Sequence, residues 1–462
     1  RDPSRMAEVL NRVIEKAIRG SAPAQINVPR DYWTQVIDIE LPPIVRLERQ
    51  AGGKEAIEEA AKLLSNAKFP VILSGAGVVI GGAIDDCVKL AEKLDSPVCS
   101  GYQHNDSFPG SHPLAVGPLG YNGSKAAMEL ISKADVVLAL GTRLNPFSTL
   151  PGYGIDYWPK NAKIIQVDMN SDRIGLTKKV TVAICGDAKM VAQQLLGKLS
   201  PKAGENDRQK RKDLIHQTKS AWLQKLSSLD HEEDDKGTVW NKEARERDKD
   251  RMSPRQAWRA IQAGMPEDVI ISSDIGNNCA IGNAYPTFEK GRKYLAPGLF
   301  GPCGYGFPAI LGAKIGCPDT PVIGFAGDGA FGISMNEMSS CAREEWPSIT
   351  MVIFRNYQWG AEKRNTTLWF DNNFIGTELD PELSYAKVAD ACGLKGVTVR
   401  SMEETTKAIK QSCEDQKKGI TTFIEVILNQ ELGEPFRRDA MKKPVRVAGI
   451  QKTDMKSQKG LN

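Results

Sequence analysis

An acidic side chain set between two glycines, with a carboxamide 28 positions further on, is the arrangement in this sequence best suited to chemistry. The acid is Asp328, in Gly327-Asp328-Gly329, and the amide is Asn356. Residues 321–326 (PVIGFA) form an apolar run leading to the acid, and residues 349–354 (ITMVIF) form a second run leading to the amide. Read as strand, tight turn, helix and strand, this segment delivers both side chains to one edge of a parallel sheet. A carboxylate and an amide oxygen suit Mg²⁺ or Ca²⁺, and two protein side chains leave an octahedral ion positions that phosphate oxygens fill. Gly327 and Gly329 let backbone N–H groups approach a phosphate, and a helix expected from about Ala330 points its N-terminus at the same place. The pattern points to a metal-bridged phosphate or diphosphate site. A surface turn is the competing reading of Gly-Asp-Gly alone.

The elements that must position these residues alternate in type. Helices are expected from about Lys54 and over residues 84–94, with apolar strand-like runs at 69–78, 97–100, 134–143 and 162–170. That alternation predicts a doubly wound α/β domain over residues 54–198. Its Gly75-Ala76-Gly77 lacks a correctly placed third glycine, so a tight turn explains it better than a dinucleotide fingerprint. His104 and His112 fall in a Gly/Pro-rich loop over residues 101–123, where packing or exposure is the simpler role. A second α/β unit, residues 253–440, starts with a helix capped by Ser253-Pro254. It continues through a strand at 268–274, Gly276-Asn277-Asn278 and the Gly-rich stretch 299–316, and closes with a helix at 402–417 and a strand at 421–428. Between the units, residues 201–250 hold twelve basic and twelve acidic residues; Trp222, Leu223, Leu226 and Leu229 predict one short amphipathic helix and the rest reads as solvated helix and linker, within a charged linker over residues 199–252. Residues 6–17 carry a helical apolar stripe followed by a short strand ending at Pro29-Arg30-Asp31; a connector, residues 33–53, comes next, and the end, residues 441–462, reads as a polar tail.

Composition narrows the function. Over 462 residues the net charge is only +4, which does not argue for nucleic acid or an anionic membrane surface. No apolar run approaches ~20 residues. Nine cysteines are scattered without a CxxC pair, as expected of reduced thiols in a cytoplasmic protein.

Gly-Asp-Gly followed by about 26 residues and Asn resembles the signature of the thiamine diphosphate enzymes of the acetolactate synthase and pyruvate decarboxylase superfamily. That superfamily usually ends the motif in Asn-Asn, and Arg355 stands here at the first of the two positions. The resemblance implies thiamine diphosphate and Mg²⁺, with Asp328, Asn356 and the backbone carbonyl of Gln358 as metal ligands. Gly276, Asn277, Asn278, Gly327, Gly329 and Ala330 would contact the diphosphate. Gly301 would accept a bond from the cofactor's amino group, and Cys303 would stand where the family puts the wedge that bends the cofactor. Residues 1–32 would be the end of a pyrimidine-binding domain. The family's activating glutamate comes from that domain of a neighbouring subunit, upstream of the position matched by Arg1. The resemblance therefore implies a homodimer or homotetramer, and a glutamate that residues 1–462 do not include. Flavin is not expected, because the residues after Gly141-Thr142-Arg143 do not resemble the flavin loop.

Two further segments, WGAEKRN (359–365) and PFRRDA (435–440), resemble the sulfoacetaldehyde acetyltransferases. That likeness implies sulfoacetaldehyde and phosphate as substrates and acetyl phosphate and sulfite as products. Lys363, Arg364, Arg437 and Arg438 are then candidates for holding the two anions, since guanidinium forks suit tetrahedral oxyanions. Trp359 and Glu362 would position or exclude water. A carboligase or 2-oxo acid decarboxylase, or a binding module without catalysis, is the alternative.

Overall fold

The computed structural model describes residues 2–20, 22–43, 48–150, 152–229, 246–298, 300–370 and 373–431. Two six-stranded parallel sheets organise them. The first comprises β1 (Pro70–Ser74), β2 (Val98–Ser100), β3 (Ala115–Pro118), β4 (Val136–Leu140), β5 (Lys163–Asp168) and β6 (Val182–Cys185), in the order β3-β2-β1-β4-β5-β6. β1 and β4 are buried along their whole length, which explains why PVILS and VVLAL read as unbroken apolar runs. The helix Lys54–Asn66 turns Ile57, Ala60, Ala61 and Leu64 inward, a stripe at helical spacing.

β3 lies inside the segment expected to be loop. AVGP has too few apolar residues and too much Gly/Pro to signal a strand, and pairing with β2 is what makes it one. Gly77 and Gly141 settle the glycine-rich turn. The Gly77 N–H donates to the Gly141 carbonyl at 2.8 Å, and a Cβ on Gly77 would lie 2.6 Å from the Gly141 Cα. Backbone packs on backbone there, as a tight turn requires.

The second sheet comprises β7 (Ile270–Ser273), β8 (Tyr294–Leu295), β9 (Val322–Gly327), β10 (Thr350–Arg355), β11 (Lys395–Val399) and β12 (Thr422–Ile427), ordered β11-β12-β10-β9-β7-β8. Strand order reverses between β7 and β9, so the crevice beyond their carboxyl ends is the place where such sheets bind ligands. Trp258, on the helix Pro254–Gly264, packs against Phe325 of β9 and Phe354 of β10 at 4.7 and 5.3 Å. Its indole N–H donates to the Asn278 carbonyl at 2.7 Å, which ties the core to the crevice. Ser253 caps that helix in a reciprocal box with Gln256.

Two expectations are corrected. Residues 205–229 form one continuous helix rather than a short amphipathic helix beside separate solvated helix and linker. It is ordered by anchors that charge counting does not see: Arg211 donates to the Lys68 carbonyl at 2.6 Å, Arg208 pairs with Asp95, and Trp222 is buried against the second sheet's core. The strand expected before Pro29 does not form; residues 22–29 are irregular and lead into a 3₁₀ turn at Arg30–Thr34. A strand needs a ladder partner, and none lies beside this segment among the described residues.

The loop between β2 and β3, with the turn after β3, is the bridge between the two sheets. The Asn105 amide donates to the Asn283 and Pro286 carbonyls, and Asp106 accepts from the Lys293 and Tyr294 N–H groups at 2.9 and 3.2 Å. The Asn283 side chain accepts from the Gln103 N–H and donates to the Tyr121 carbonyl. No described helix is long and apolar enough to cross a membrane.

Candidate active site

Asp328 follows directly on β9 and is 1% exposed. Its Oδ2 accepts from the Tyr357 N–H at 2.6 Å and from the Arg355 guanidinium at 3.1 Å, and its Oδ1 accepts from the Gly329 N–H at 3.0 Å. Both neighbours of Asn356 thus bond to Asp328, which brings the acid and the amide together at the sheet edge as their spacing predicts. Tyr357 adopts φ 60°, a left-handed conformation that is strained for a tyrosine and turns the chain back toward Asp328. Burial raises the Asp328 carboxyl to about 6, against the opposing pull of Arg355.

Arg355 departs from the usual asparagine, and the structure gives it a part. It is fully buried, faces Asp328 on one side and Glu425 at 3.7 Å on the other, and donates to the Asp380 and Leu383 carbonyls. Its guanidinium stacks 4.2 Å from the Tyr357 ring. Tyr385, whose hydroxyl donates to the Asp328 carbonyl at 2.9 Å, closes the cluster. Neither Glu425 nor Tyr385 stands out in the sequence, because each lies in an ordinary strand or helix pattern.

Several of the remaining candidates lie around the same sheet edge. Gly276 ends the β7 edge at φ 129°, and a Cβ on Gly276 or Gly327 would meet nothing within 4 Å. Asp274, which sequence reasoning overlooked, fixes the Gly-rich segment. Its carboxylate accepts from the Ile275, Gly304 and Gly306 N–H groups, and this draws Gly301 and Cys303 to the end of β7. Burial, and then the charges of Asp274 and Glu362, push the Cys303 thiol up. The Trp359 indole lies flat on Gly329, where a Cβ would sit 2.8 Å from the ring.

Lys363 does not face an open mouth. It is buried and paired with Glu378, with the Gln430 side-chain oxygen at 3.4 Å. The Gln430 amide donates in turn to the Asn356 carbonyl at 3.3 Å, so Lys363 braces the backbone at Asn356 through Gln430. Arg364 is buried as well and donates to the Tyr121 hydroxyl from the first sheet's loop. Arg437 and Arg438 lie outside the described residues.

Several buried polar atoms at the crevice have no protein partner: Asn277 Nδ2, Asn278 Oδ1, Asn356 Oδ1 and Gln358 Oε1. Left so they would be costly. Acceptors from Asn356 beside Asp328, a donor from Asn277, and glycines opening on empty space fit a metal-bound diphosphate. No group of three or more His, Cys, Asp or Glu side chains suited to a metal exists among the described residues, so a cation here would take much of its shell from the ligand's own oxygens.

The first sheet has its own order reversal, between β1 and β4. A cavity of about 170 Å³ lies there, lined by Gly77, His104, Thr142, Arg143, Asp168 and Arg173 among others. Burial beside Arg143 lowers the His104 imidazole to about 4.

The central domain of thiamine pyrophosphate enzymes, as a family model, matches residues 57–195, and the C-terminal TPP-binding domain matches residues 274–426. Together with the two parallel sheets and the Asp328–Asn356 edge, these matches define a thiamine pyrophosphate enzyme. A probable sulfoacetaldehyde acetyltransferase of Rhizobium meliloti (strain 1021) is 77% identical over 99% of this chain and 78% of its own length. A sulfoacetaldehyde acetyltransferase of Roseovarius nubinhibens is 73% identical over 99% of this chain and 76% of its own. The chain belongs to the sulfoacetaldehyde acetyltransferase family. In structure it is similar to benzoylformate decarboxylase from Polynucleobacter necessarius, with a TM-score of 0.72 over 94% of this chain and 75% of that one at 19% identity, a likeness of fold.

Proposed function

We propose that the chain acts on sulfoacetaldehyde and inorganic phosphate to give acetyl phosphate and sulfite, using thiamine diphosphate and Mg²⁺. The observation that carries this reading is the 77% identity over nearly the whole chain, crevice included, to a relative of that name. The overall change is redox-neutral. The aldehyde carbon rises to the acyl level while the carbon that loses sulfite becomes a methyl, so no external oxidant is needed.

Bound thiamine diphosphate supplies the carbanion that adds to the aldehyde and the electron sink that stores its electrons. The chain's residues do the holding. Asp328, Asn356 and the Gln358 carbonyl hold the metal, and Gly276, Asn277, Asn278 and the 327–330 turn hold the diphosphate. Arg355 and the Tyr357 N–H saturate one carboxylate oxygen of Asp328, so the carboxylate keeps one orientation without the metal. Gly301 and Cys303 line the approach to the cofactor's reactive end. Trp359 and Glu362, at the rim, keep water from competing with phosphate for the acyl group. Mg²⁺, cytoplasmic residence and a homo-oligomer belong to this proposal.

The test supplies sulfoacetaldehyde and phosphate with thiamine diphosphate and Mg²⁺. Sulfite and acetyl phosphate should appear in equal amounts and only with phosphate present. Release of CO₂ from pyruvate with no sulfite from sulfoacetaldehyde would move the chain to the decarboxylase and carboligase reading.

A further inference from the structure

Tyr121 belongs to the first sheet's loop, yet its hydroxyl lies in the second sheet's crevice. Three segments distant in sequence meet at that oxygen. Arg364, on the helix Gly360–Trp369, donates to it, and it donates to Asn277 Oδ1 at 3.1 Å. All three residues are buried, and Asn277 is 5% exposed.

The direction of this hydrogen-bond relay is dictated by its first member. A guanidinium can only donate. It therefore takes the lone pair of the phenol oxygen and leaves the phenol proton for the next partner. That proton needs an acceptor, so Asn277 must present Oδ1 to Tyr121. The same amide must then present Nδ2 the other way, and Nδ2 is buried with no protein partner. An amide is otherwise close to symmetric and gains little from one flip over the other. Here the flip is set from outside the domain that owns the residue, and it turns two N–H donors into the crevice, where a diphosphate would accept them.

We propose that Tyr121, held by Arg364, is a positioning residue for the cofactor's diphosphate: it locks the Asn277 amide with its donors facing the crevice. Arg364 then serves the cofactor through Tyr121 rather than gripping a substrate anion. The inference rests on the thiamine diphosphate reading of the crevice. It also gives the contact between the two sheets a role in cofactor retention, because Tyr121 is delivered by the loop that docks on Asn283.

The test is thiamine diphosphate affinity, measured by titration calorimetry at saturating Mg²⁺ on the full chain, with a double-mutant cycle. Tyr121→Phe keeps the ring and removes the proton, and should weaken binding about tenfold, the loss expected for one misoriented bond to a charged group. Asn277→Ala should weaken it at least as much. The double variant should bind no worse than Asn277→Ala alone, since Tyr121 acts only through that amide. Arg364→Met should reproduce the Tyr121→Phe loss, and Arg364→Lys, which still donates, should recover part of it. A purely structural role would lower the unfolding temperature of Tyr121→Phe and leave its cofactor affinity unchanged, which overturns the proposal. Losses that simply add in the double variant overturn it too. Wild-type chain that binds no thiamine diphosphate would instead defeat the cofactor reading itself.

Discussion

At the scale of the residue, Asp328 and Arg355 are bound to one fate. Asp328→Asn keeps the shape but removes a charge that faces both the expected metal and a buried guanidinium. Its metal affinity should fall by more than the ~10–100-fold typical of outer partners. The metal-free protein should also lose about 3–5 kcal/mol, because Arg355 is left inside without its nearest counter-charge. Mn²⁺ titration and denaturant unfolding of the same sample check both halves, and an unchanged unfolding midpoint would show that the pair carries no stability. His104 predicts a pH effect. Its imidazole is held at about 4 against an ordinary value of 6.5, so the fold favours the neutral ring. That contribution is complete above pH 6.5 and is lost as pH falls toward 4, at most about 3 kcal/mol in all. A His104→Gln variant should show a shallower decline of stability across that window.

At the scale of the element, two contacts hold strand ends where the crevice needs them. Trp258 packs against both Phe325 and Phe354 and donates to the Asn278 carbonyl. Trp258→Ala should cost about 3–5 kcal/mol, and cofactor affinity should drop because Asn278 loses its backbone anchor. The Gly77–Gly141 contact is the corresponding device in the first sheet. Gly141 sits at φ 61°, and a Cβ there would lie 2.7 Å from the Gly77 Cα. Gly141→Ala combines backbone strain with overpacking and should cost roughly 2–5 kcal/mol in denaturant unfolding. The ends of β1, β4, β9 and β10 were legible as apolar runs. β3, β8 and β11 were not, since runs of two to five residues, two of them interrupted by Gly, carry no period and become strands through their neighbours.

At the scale of the whole molecule, the two sheets are joined by polar bonds as well as by apolar contacts, with Ala126 and Trp222 in the second sheet's core and Tyr121 packed with Ala280. Asp106 is central: buried, it accepts from two consecutive N–H groups of the β8 region. Asp106→Ala leaves both donors unpaired, which should cost about 2–4 kcal/mol. It should also broaden the calorimetric transition or split it in two as the sheets uncouple. A single sharp transition at a lower temperature would mean that the helix Glu205–Leu229, with Arg211 on Lys68 and Trp222 in the second core, is the stronger tie.

The sequence by itself determined the parallel α/β class, the carboxylate and amide that converge at one sheet edge, and the glycines that keep the crevice open. Those depend on short-range pattern: an apolar run, a turn residue, a fixed spacing. Tertiary structure alone decided what surrounds them. It buried Lys363 against Glu378 and Gln430, turned Arg364 toward Tyr121, gave Arg355 two opposing carboxylates, and brought a tyrosine from the first sheet's loop to the Asn277 amide. Hydrogen-bond partners 156 and 243 positions apart leave no trace in local periodicity. Their geometry exists only once both sheets have closed on a common polar seam.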